Sequence, residues 1–326
     1  MATMQDHRVS VAEGGLLCRI ELAALSAVAR VLRPAAYQGL YTAVGLLAKA
    51  FPQTNTVILS DGNGQRKFKI HLNDVFYSRL LDGFVYEEEI EVLLDRVLSP
   101  DAIFIDCGAN QGYWSVYAAL KIKRPDHIVA IEPTCLSFVR LCENLKLNHG
   151  SFTPVQKAVY SRSDVDLEFE THPQRHGGNS CVHRRGKPGQ PGFQRESAKS
   201  TTIDEIVASV APTQGEVHVV VKLDVEGAEV EALKGARRTI ERGGLFIFEE
   251  HSKERTCPHT DFLLNQMALS VYLLRLGLEP TRIETVDQLT RLKLRPFCAH
   301  NLMAARGDSP VLKRALQSYQ GSGRRI

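Results

Sequence analysis

The stretch that decides the fold reads Phe104-Ile105-Asp106-Cys107-Gly108-Ala109-Asn110-Gln111-Gly112. An apolar run ends in a carboxylate, a glycine-containing turn follows, and apolar residues at helical spacing begin near Tyr113. This order of strand, turn and helix is typical of the first unit of a parallel α/β sheet, where glycine allows the backbone to approach a ligand closely. The stretch therefore predicts a ligand site at the carboxyl end of the first sheet strand.

Apolar runs alternate with helical patterns after this stretch. Short runs with the composition of parallel strands covered on both faces occupy residues 102–107, 128–132, 217–224 and 245–250. Helical periodicity occupies residues 113–123, 136–147, 203–210, 230–242 and 262–276. Strand-like runs at 166–171 and 302–306 are expected to complete the sheet. The alternation predicts an α/β protein with a right-handed, doubly wound, Rossmann-like sheet.

The rest of the 326-residue chain has other sequence patterns. Two short helices are predicted within residues 20–50, a β-hairpin within 56–72, and an amphipathic helix at 89–98. We therefore expect accessory helices and a hairpin at 1–75, a sheet domain at 76–310 and a C-terminal tail at 311–326. Residues 171–199 are rich in Gly and Pro and carry six Lys or Arg residues against one Glu, so we expect a flexible basic loop there.

Composition and charge narrow the function classes. Hydrophobic residues make up 44% of the chain and charged residues 24%, which excludes a mainly disordered protein. The net charge of +3 is too small to indicate a nucleic-acid partner. The seven cysteines include no C-x-x-C pair, so neither a disulfide framework nor a zinc site is predicted. The N-terminal sequence lacks the pattern of a secretory signal and charged residues interrupt the longest apolar region; we expect a cytoplasmic protein with no transmembrane segment.

Two carboxylates indicate the ligand that the site is expected to hold. The turn has the spacing G-x-x-x-G instead of the G-x-G-x-x-G of a dinucleotide loop. Asp106, just before the first glycine, would repel a diphosphate and attract an ammonium group. Glu132 ends the next strand, 26 residues later, where an acid can accept both ribose hydroxyls. S-adenosylmethionine has an ammonium group, a ribose diol and no phosphate, and we predict it as the cofactor.

Five motifs make the sequence resemble the FkbM family of S-adenosylmethionine-dependent methyltransferases. They are Ile105-Asp106-Cys107-Gly108-Ala109-Asn110-Gln111-Gly112, Ile131-Glu132-Pro133, Asn144-Leu145-Lys146-Leu147-Asn148, Thr202-Ile203-Asp204 and Val221-Lys222-Leu223-Asp224-Val225-Glu226-Gly227-Ala228-Glu229. The resemblance spans roughly residues 76–306. It implies a seven-strand class I methyltransferase sheet and O-methylation of a hydroxyl on a sugar, polyketide or other secondary metabolite. The long basic segment at 171–199 departs from the family, so the acceptor of a known member is not carried over.

The predicted cofactor-binding residues come from the glycine turn, from the end of the next strand and from a Y-E element that the resemblance places near the amino acid end of the cofactor. They are Asp106, Gly108, Ala109, Asn110, Gly112, Glu132, Pro133, Tyr86 and Glu87.

The predicted catalytic residues lie at the ends of two later strands. Residues two apart on a strand share a face, so Lys222 and Asp224 should point together, as should Glu249 and His251. We predict His251 as the base that removes the hydroxyl proton, with Glu249 supporting it, and Asp224 or Glu226 as the residue that holds the hydroxyl. A structural salt bridge between Lys222 and Asp224 and a surface or capping role for His251 are the alternatives.

The sequence also allows other interpretations of these residues and of the function. Glu229 opens the helix after the D-V-E-G element, where complementing the helix dipole explains it as well as a functional role does. A divalent metal held by Asp224, Glu226 and Glu249 is conceivable, but no metal is predicted. The alternative functions are a nicotinamide-dependent oxidoreductase, an RNA methyltransferase and a noncatalytic binding module. We expect a small-molecule hydroxyl acceptor and no nucleic-acid partner, and leave homo-oligomer formation open.

Overall fold

The computed structural model describes residues 8–11, 56–60, 66–71, 86–171, 180–181, 193–211, 218–225, 227–250, 257–292 and 300–317. The two helices predicted within 20–50, most of the basic segment at 171–199, Glu226 and His251 lie outside the described residues.

Strands occur throughout the described residues of the chain. They are β1 (Arg8–Val11), β2 (Thr56–Ser60), β3 (Lys67–His71), β4 (Ile103–Cys107), β5 (Ile128–Ile131), β6 (Thr153–Val155), β7 (Ala158–Val159), β8 (Asp166–Thr171), β9 (Ser180–Cys181), β10 (Gln194–Thr201), β11 (Val219–Leu223), β12 (Leu245–Glu250), β13 (Ser270–Leu273), β14 (Thr281–Ile283) and β15 (His300–Ala305).

Helices separate most of these strands. They are α1 (Glu88–Val97), α2 (Tyr113–Ala118), α3 (Cys135–Leu147), α4 (Ile203–Val210), α5 (Glu229–Lys234), α6 (Arg237–Glu241), α7 (Pro258–Asp261), α8 (Val286–Leu292) and α9 (Pro310–Leu316), together with a 3-10 helix at Pro125–His127 and a π-helix at Phe262–Gln266.

A mixed eight-stranded sheet forms the centre of the protein, in the order β14-β13-β15-β12-β11-β4-β5-β6. Strands β4, β5, β6, β11 and β12 are parallel, and β15 is antiparallel to both β12 and β13. This confirms the predicted doubly wound α/β sheet and adds β14 as an edge strand to the predicted seven. The strand order reverses beside β4, so a topological switch point lies between β4 and β11, where open α/β sheets bind their ligands.

Two apolar cores cover the faces of this sheet. Successive residues of a strand point to opposite faces, and Phe104 and Val220 accordingly enter the core that packs against α1, α2 and α9. Ile105 and Val221 enter the other core, against α4, α5 and α6. Each large apolar side chain buried in this way contributes about 1.5–3 kcal/mol to folding. Burial on both faces explains why the central strands read as uninterrupted apolar runs.

The predicted β-hairpin is confirmed as the antiparallel pair β2 and β3, which β1 extends to three strands. Two asparagines of the Asn144 to Asn148 motif on and after α3 satisfy the outer edge of β3. Asn148 accepts from the N–H of Lys67 at 3.0 Å and donates to its carbonyl at 2.7 Å. Asn144 accepts from the N–H of Lys69 at 2.7 Å and donates to the carbonyl of Gln111, in the glycine turn, at 2.9 Å.

Two predicted elements are wrong. Residues 262–276 do not form one helix, because the π-helix ends before Ala268, which has a φ of 52°, and β13 follows. Burial alternates along β13, so its apolar residues have the period of a strand. Residues 166–171 form β8, which lies outside the central sheet in a separate sheet of order β7-β10-β8-β9. Its alternate exposed residues suit a half-buried antiparallel ribbon, whereas the central strands are buried throughout.

Three further findings complete the fold. Strand β9 and most of β10 lie within the segment predicted to lack regular structure. Residues 311–316, assigned to the tail from the sequence, belong to α9, whose Val311 and Leu312 are buried in the core beside α1. None of the helices in the described ranges is long and apolar enough to cross a membrane.

Candidate active site

The glycine turn between β4 and α2 has a left-handed backbone at three positions. Gly108, Asn110 and Gly112 have φ angles of 76°, 51° and 84°. A Cβ atom at Gly108 would overlap the backbone carbonyl oxygen of Asp224, so only glycine allows the ends of β4 and β11 to approach this closely. Packing between the two strands therefore already requires glycine here, before any ligand is considered.

The backbone N–H groups of the turn are hydrogen-bonded inside the protein. Those of Gly108 and Ala109 both donate to the Ile131 carbonyl at 2.9 Å, and that of Asn110 donates to Glu132 Oε2 at 3.0 Å. A phosphate-binding loop instead points such groups at its ligand. These three donors are thus not available to a pyrophosphate.

Asp106 lies near the end of β4 and is only 2% exposed. Its Oδ2 accepts a hydrogen bond from the Ser115 hydroxyl at 2.6 Å, and its register neighbour on β11 is Lys222. Burial raises the pKa of Asp106 to about 6, although the Ser115 hydrogen bond and the charge of Lys222 lower it. The carboxylate is therefore only partly compensated by its protein neighbours.

Glu132 follows β5 directly and is also buried. Its Oε1 accepts from the N–H and the hydroxyl of Thr134, at 3.0 Å and 2.6 Å, and its Oε2 accepts from Asn110. Burial raises the pKa of Glu132, while these hydrogen bonds lower it. Because a carboxylate has about four acceptor positions, these three bonds leave a position for a ribose hydroxyl. Pro133, between the two residues, is half-buried.

The Y-E element lies at the start of α1. The ring of Tyr86 is 6.0 Å from that of Trp114. Glu87 Oε1 accepts from Asn301 Nδ2 at 3.2 Å, and the same amide donates to Glu89 Oε1 at 2.9 Å. Burial raises the pKa of Glu87 to about 7, although nearby positive charge lowers it. Its Oε2 is buried and has no hydrogen-bond partner among the described residues, so it can accept from a bound ligand.

Lys222 and Asp224 come together at the end of β11, as their spacing predicts. Lys222 Nζ is 3.2 Å from Asp224 Oδ2, and the two side chains are 2% and 24% exposed. Burial lowers the pKa of Lys222, but the charges of Asp224, Glu87 and Glu249 raise it above its ordinary value. Lys222 is therefore a buried cation paired with Asp224, and the charges of Glu87 and Glu249 also favour its charged form.

Two predicted residues of this region, Glu226 and His251, lie outside the described residues. Their neighbours Asp224 and Glu249 are partly exposed at the carboxyl ends of β11 and β12. Among the residues that the structure describes, no group of three or more His, Cys, Asp or Glu side chains is arranged to hold a metal ion.

Negative charge exceeds positive charge around the switch point. The described carboxylates that act on one another or on Lys222 there are those of Asp106, Glu132, Asp224, Glu249 and Glu87. Among the described residues, the positively charged side chain that acts on these carboxylates is Lys222. Such an excess attracts a cationic ligand, and burial in a low dielectric strengthens the attraction.

Three residues of the site were not predicted from the sequence. Ser115, Thr134 and Asn301 are neutral side chains that donate to the predicted carboxylates. Thr134 could have been found, because it lies two residues after Glu132 and just before a predicted helix. No sequence signal of this kind marks Ser115 or Asn301. The contact of Asn301 with Glu87, for example, spans 214 residues.

The chain matches one protein family, described as the methyltransferase FkbM domain, over residues 106–274. Hexuronic acid methyltransferase AglP of Haloferax volcanii is 30% identical over 168 residues, which cover 51% of this chain. The match spans less than two thirds of that protein's length, 62%.

Two further proteins are similar to this chain. Methyltransferase 1 of Beauveria bassiana is 28% identical over 195 residues, covering 51% of this chain and 74% of that protein. The crystal structure of an FkbM methyltransferase from Methylobacillus flagellatus superimposes with a TM-score of 0.38 at 17% identity, covering 63% of this chain and 44% of that one.

Proposed function

The chain belongs to the FkbM methyltransferase family, and on that premise we propose that it transfers a methyl group from S-adenosylmethionine to a hydroxyl oxygen of an acidic sugar. One observation carries the choice of donor. Among the described residues, buried carboxylates outnumber cations beside a turn in which the N–H groups of Gly108, Ala109 and Asn110 donate inside the protein. This surrounding suits a cationic nucleoside without phosphate and disfavours a dinucleotide.

The residues present fit this donor. Asp106 and Glu87 would face its positive charge. Glu87 Oε2, which has no hydrogen-bond partner within the described ranges, would accept from its ammonium group, and Glu132 would accept from a ribose hydroxyl. Gly108, Ala109, Asn110 and Gly112 would give it a close approach to the backbone. Pro133 and the ring of Tyr86 would border it.

The chemistry leaves a limited task to the protein. When bound, S-adenosylmethionine supplies a methyl group on a positively charged sulfur that is already activated for displacement. The chain has to orient the acceptor oxygen and remove its proton. Asp224, the neighbouring Glu226 and the ion pair with Lys222 would hold the hydroxyl, and His251, two residues after Glu249 on the chain, would take the proton. A positioned base adds about 10²- to 10⁴-fold, so loss of His251 should slow turnover without abolishing it.

An acidic sugar is proposed as the acceptor for two reasons. The similar archaeal protein is named a hexuronic acid methyltransferase. The sequence of residues 171–199 carries six Lys or Arg residues against one Glu. Arg195 and Lys199 are paired with Glu168 and Asp166, and the other four are cations of the kind that recognises carboxylates. That one acid, Glu196, accepts from the N–H of Cys135 at 2.7 Å. The contact ties the end of the basic segment to the start of α3, three residues after Glu132.

The donor is tested by calorimetric titration of the full chain with S-adenosylhomocysteine and, separately, with NADH. We expect binding of the first and none of the second, because the N–H groups of Gly108, Ala109 and Asn110 donate inside the protein instead of pointing at a pyrophosphate. Binding of NADH alone would overturn the proposed donor and favour an oxidoreductase.

The acceptor is tested with methyl-labelled S-adenosylmethionine and a matched pair of compounds, 4-nitrophenyl β-glucuronide and 4-nitrophenyl β-glucoside. Transfer to the glucuronide should exceed transfer to the glucoside, which has a hydroxymethyl group in place of the carboxylate. Equal transfer to both would remove the acidic sugar while leaving a methyltransferase. Salt-sensitive retention of a labelled RNA, with methyl incorporation into it, would instead favour the RNA methyltransferase alternative.

A further inference from the structure

A buried ionic cluster lies beside the proposed acceptor site. Glu229, His259 and Glu250 are 2%, 7% and 0% exposed. His259 Nε2 is 3.1 Å from Glu229 Oε2. His259 Nδ1 is 3.4 Å from Glu250 Oε1, which is a charge contact without a hydrogen bond between the two atoms. The three residues come from α5, α7 and β12, so the cluster joins elements that are separate in the chain.

Each carboxylate of the cluster also holds a backbone segment. Both oxygens of Glu229 lie 3.0 Å from the N–H of Gly227, which donates to them. Glu250 Oε2 accepts from the N–H and the hydroxyl of Thr260, at 2.9 Å and 3.0 Å. The first contact fixes the turn after Asp224. The second joins the last residue of β12 to α7.

These two segments contain the acceptor residues predicted from the sequence. Glu226 precedes Gly227, and His251 follows Glu250. We propose that Glu229, His259 and Glu250 form a positioning clamp that joins the carboxyl ends of β11 and β12 and thereby sets Asp224 and Glu249, the described residues of the proposed acceptor site, relative to each other. This inference rests on the proposed function of the same site.

A helix-dipole role for Glu229 does not account for these contacts. A carboxylate that only complements a helix N-terminus gains its energy at the surface and needs no partner on another element. Glu229 is instead buried against His259, and burying three ionisable groups is costly unless each one is paired. The arrangement is therefore better explained by the geometry that it imposes on the segments it joins.

The clamp should respond to pH through His259. The groups facing His259 are Glu229 on α5, Glu250 on β12 and the backbone of Glu249. Burial lowers the pKa of His259, but these groups raise it overall. A raised pKa means that the clamp is complete below the ordinary histidine value and weakens as the pH rises through the folded-state value. Burial acts against the ionised form of Glu229 as well, but His259 and the Gly227 N–H lower its pKa to about 2. Acid therefore releases the clamp only well below neutral pH.

The test compares His259→Gln with His127→Gln. His127 is a second buried histidine, 3% exposed, in the 3-10 helix before β5 and so at the opposite end of the sheet. We expect His259→Gln to raise the KM for 4-nitrophenyl β-glucuronide about 10- to 100-fold, because small displacements of positioning groups have effects of this size. Affinity for S-adenosylhomocysteine should not change in calorimetry. His127→Gln should alter neither quantity.

Hydrogen exchange gives a readout that does not depend on activity. Peptides containing Gly227 and Thr260 should exchange faster in His259→Gln than in the wild type at neutral pH. In the wild type, exchange corrected for its intrinsic pH dependence should accelerate at alkaline pH, and this acceleration should be absent in the variant. If His259→Gln does not fold, Thr260→Val, which deletes one hydrogen bond to Glu250, should show the same pattern more weakly.

Two results would overturn the clamp. One is unchanged exchange at Gly227 in both variants. The other is faster exchange with no change in acceptor KM or in the pH profile, which would make the cluster only structural. Failure of the proposed function is recognised separately, because a wild-type protein that neither binds S-adenosylhomocysteine nor transfers methyl would still report on the exchange of both segments.

Discussion

The two halves of the sheet edge bury their carboxylates in different ways. On the cofactor side, built by β4 and β5, Asp106 and Glu132 accept mainly from hydroxyls and backbone N–H groups. On the acceptor side, built by β11 and β12, Asp224 is paired with Lys222, and Glu229 with His259. Asp106 and Glu132 thus depend mainly on neutral donors, whereas Asp224 and Glu229 each also have a cationic partner within the protein.

This difference indicates which carboxylates can still interact with a ligand. With neutral donors, burial dominates and raises the pKa of Asp106 to about 6. With a histidine partner, the pKa of Glu229 instead falls to about 2. A buried carboxylate without a full cationic partner attracts positive charge from outside, whereas a compensated one stabilises the backbone around it. The four predictions below test this contrast, from the largest expected effect to the smallest.

Glu229→Gln should have the largest effect, because it leaves His259 with an incomplete set of partners. Removing one member of a buried ion pair costs about 3–5 kcal/mol of unfolding free energy. Denaturant unfolding at pH 7 measures the loss. The matched control on the same helix is Glu231→Gln, which removes a surface pair with Lys234 and should cost less than about 1 kcal/mol. Similar losses in both variants would remove the contrast between the two sides.

Gly108→Ala tests the point where the two sides touch. The added methyl group would overlap the carbonyl oxygen of Asp224, and the φ of 76° adds strain. Gly150→Ala is the control, since its φ of 74° is similar and nothing lies near the added atom. The left-handed backbone costs about 1–2 kcal/mol in both variants, and overpacking should add about 1–3 kcal/mol in Gly108→Ala alone. Equal unfolding free energies would show that β4 and β11 can separate without cost.

Asp106→Asn should weaken binding of S-adenosylhomocysteine about 10- to 100-fold in calorimetry, the usual cost of losing an interaction with a charged group. Without ligand the variant should be more stable than the wild type at pH 7, because the amide carries no buried charge. Asp166→Asn, which removes an exposed pair with Lys199, is the control and should change neither quantity.

The pH dependence of stability in the same variant tests the direction of the Asp106 pKa shift. The pKa of Asp106 rises from 3.8 to about 6 on folding, so its contribution is fully present below its unfolded value and is lost as the pH rises through about 6. The ligand-free wild type should therefore lose thermal stability over this interval, and Asp106→Asn should not show this part of the loss. A variant with the wild-type profile would contradict burial as the cause of the raised pKa.

Ser115→Ala should have the smallest effect. It removes one hydrogen bond to Asp106, worth about 1 kcal/mol at neutral pH. Because that bond favours the charged form, its loss should move the pH-dependent fall in thermal stability to higher pH. Ser209→Ala, on the exposed face of α4, is the control. A downward movement in pH would mean that Ser115 favours the protonated carboxyl.

The fold could be predicted where one pattern had one physical meaning. The apolar runs of β4, β5, β11 and β12 fit only strands buried on both faces, and the glycine turn fixed where the sheet begins. The prediction failed at residues 262–276, because their apolar residues fit both a helical and an alternating period. It failed at 166–171 because a strand pattern does not say which sheet the strand joins.

The residues of the site likewise fall into those that the sequence predicts and those that it does not. Asp106 and Glu132 were found because each follows a predicted strand, and Lys222 and Asp224 because a spacing of two places both on one face. Asn301 and His259 were missed, since their partners lie far away in the chain. No local pattern marks a residue whose role depends on a distant neighbour.

By itself, the sequence determined the layering of the sheet, the position of the glycine turn and the carboxylates that follow the first two sheet strands, because these depend on periodicity and on interactions between near neighbours. Only the tertiary structure decided which carboxylates receive a cation and which receive a hydroxyl. That choice follows from which side chains the packing of separate elements brings within hydrogen-bonding distance in a medium that water cannot enter. It is what distinguishes a carboxylate that binds a ligand from one that holds the protein together.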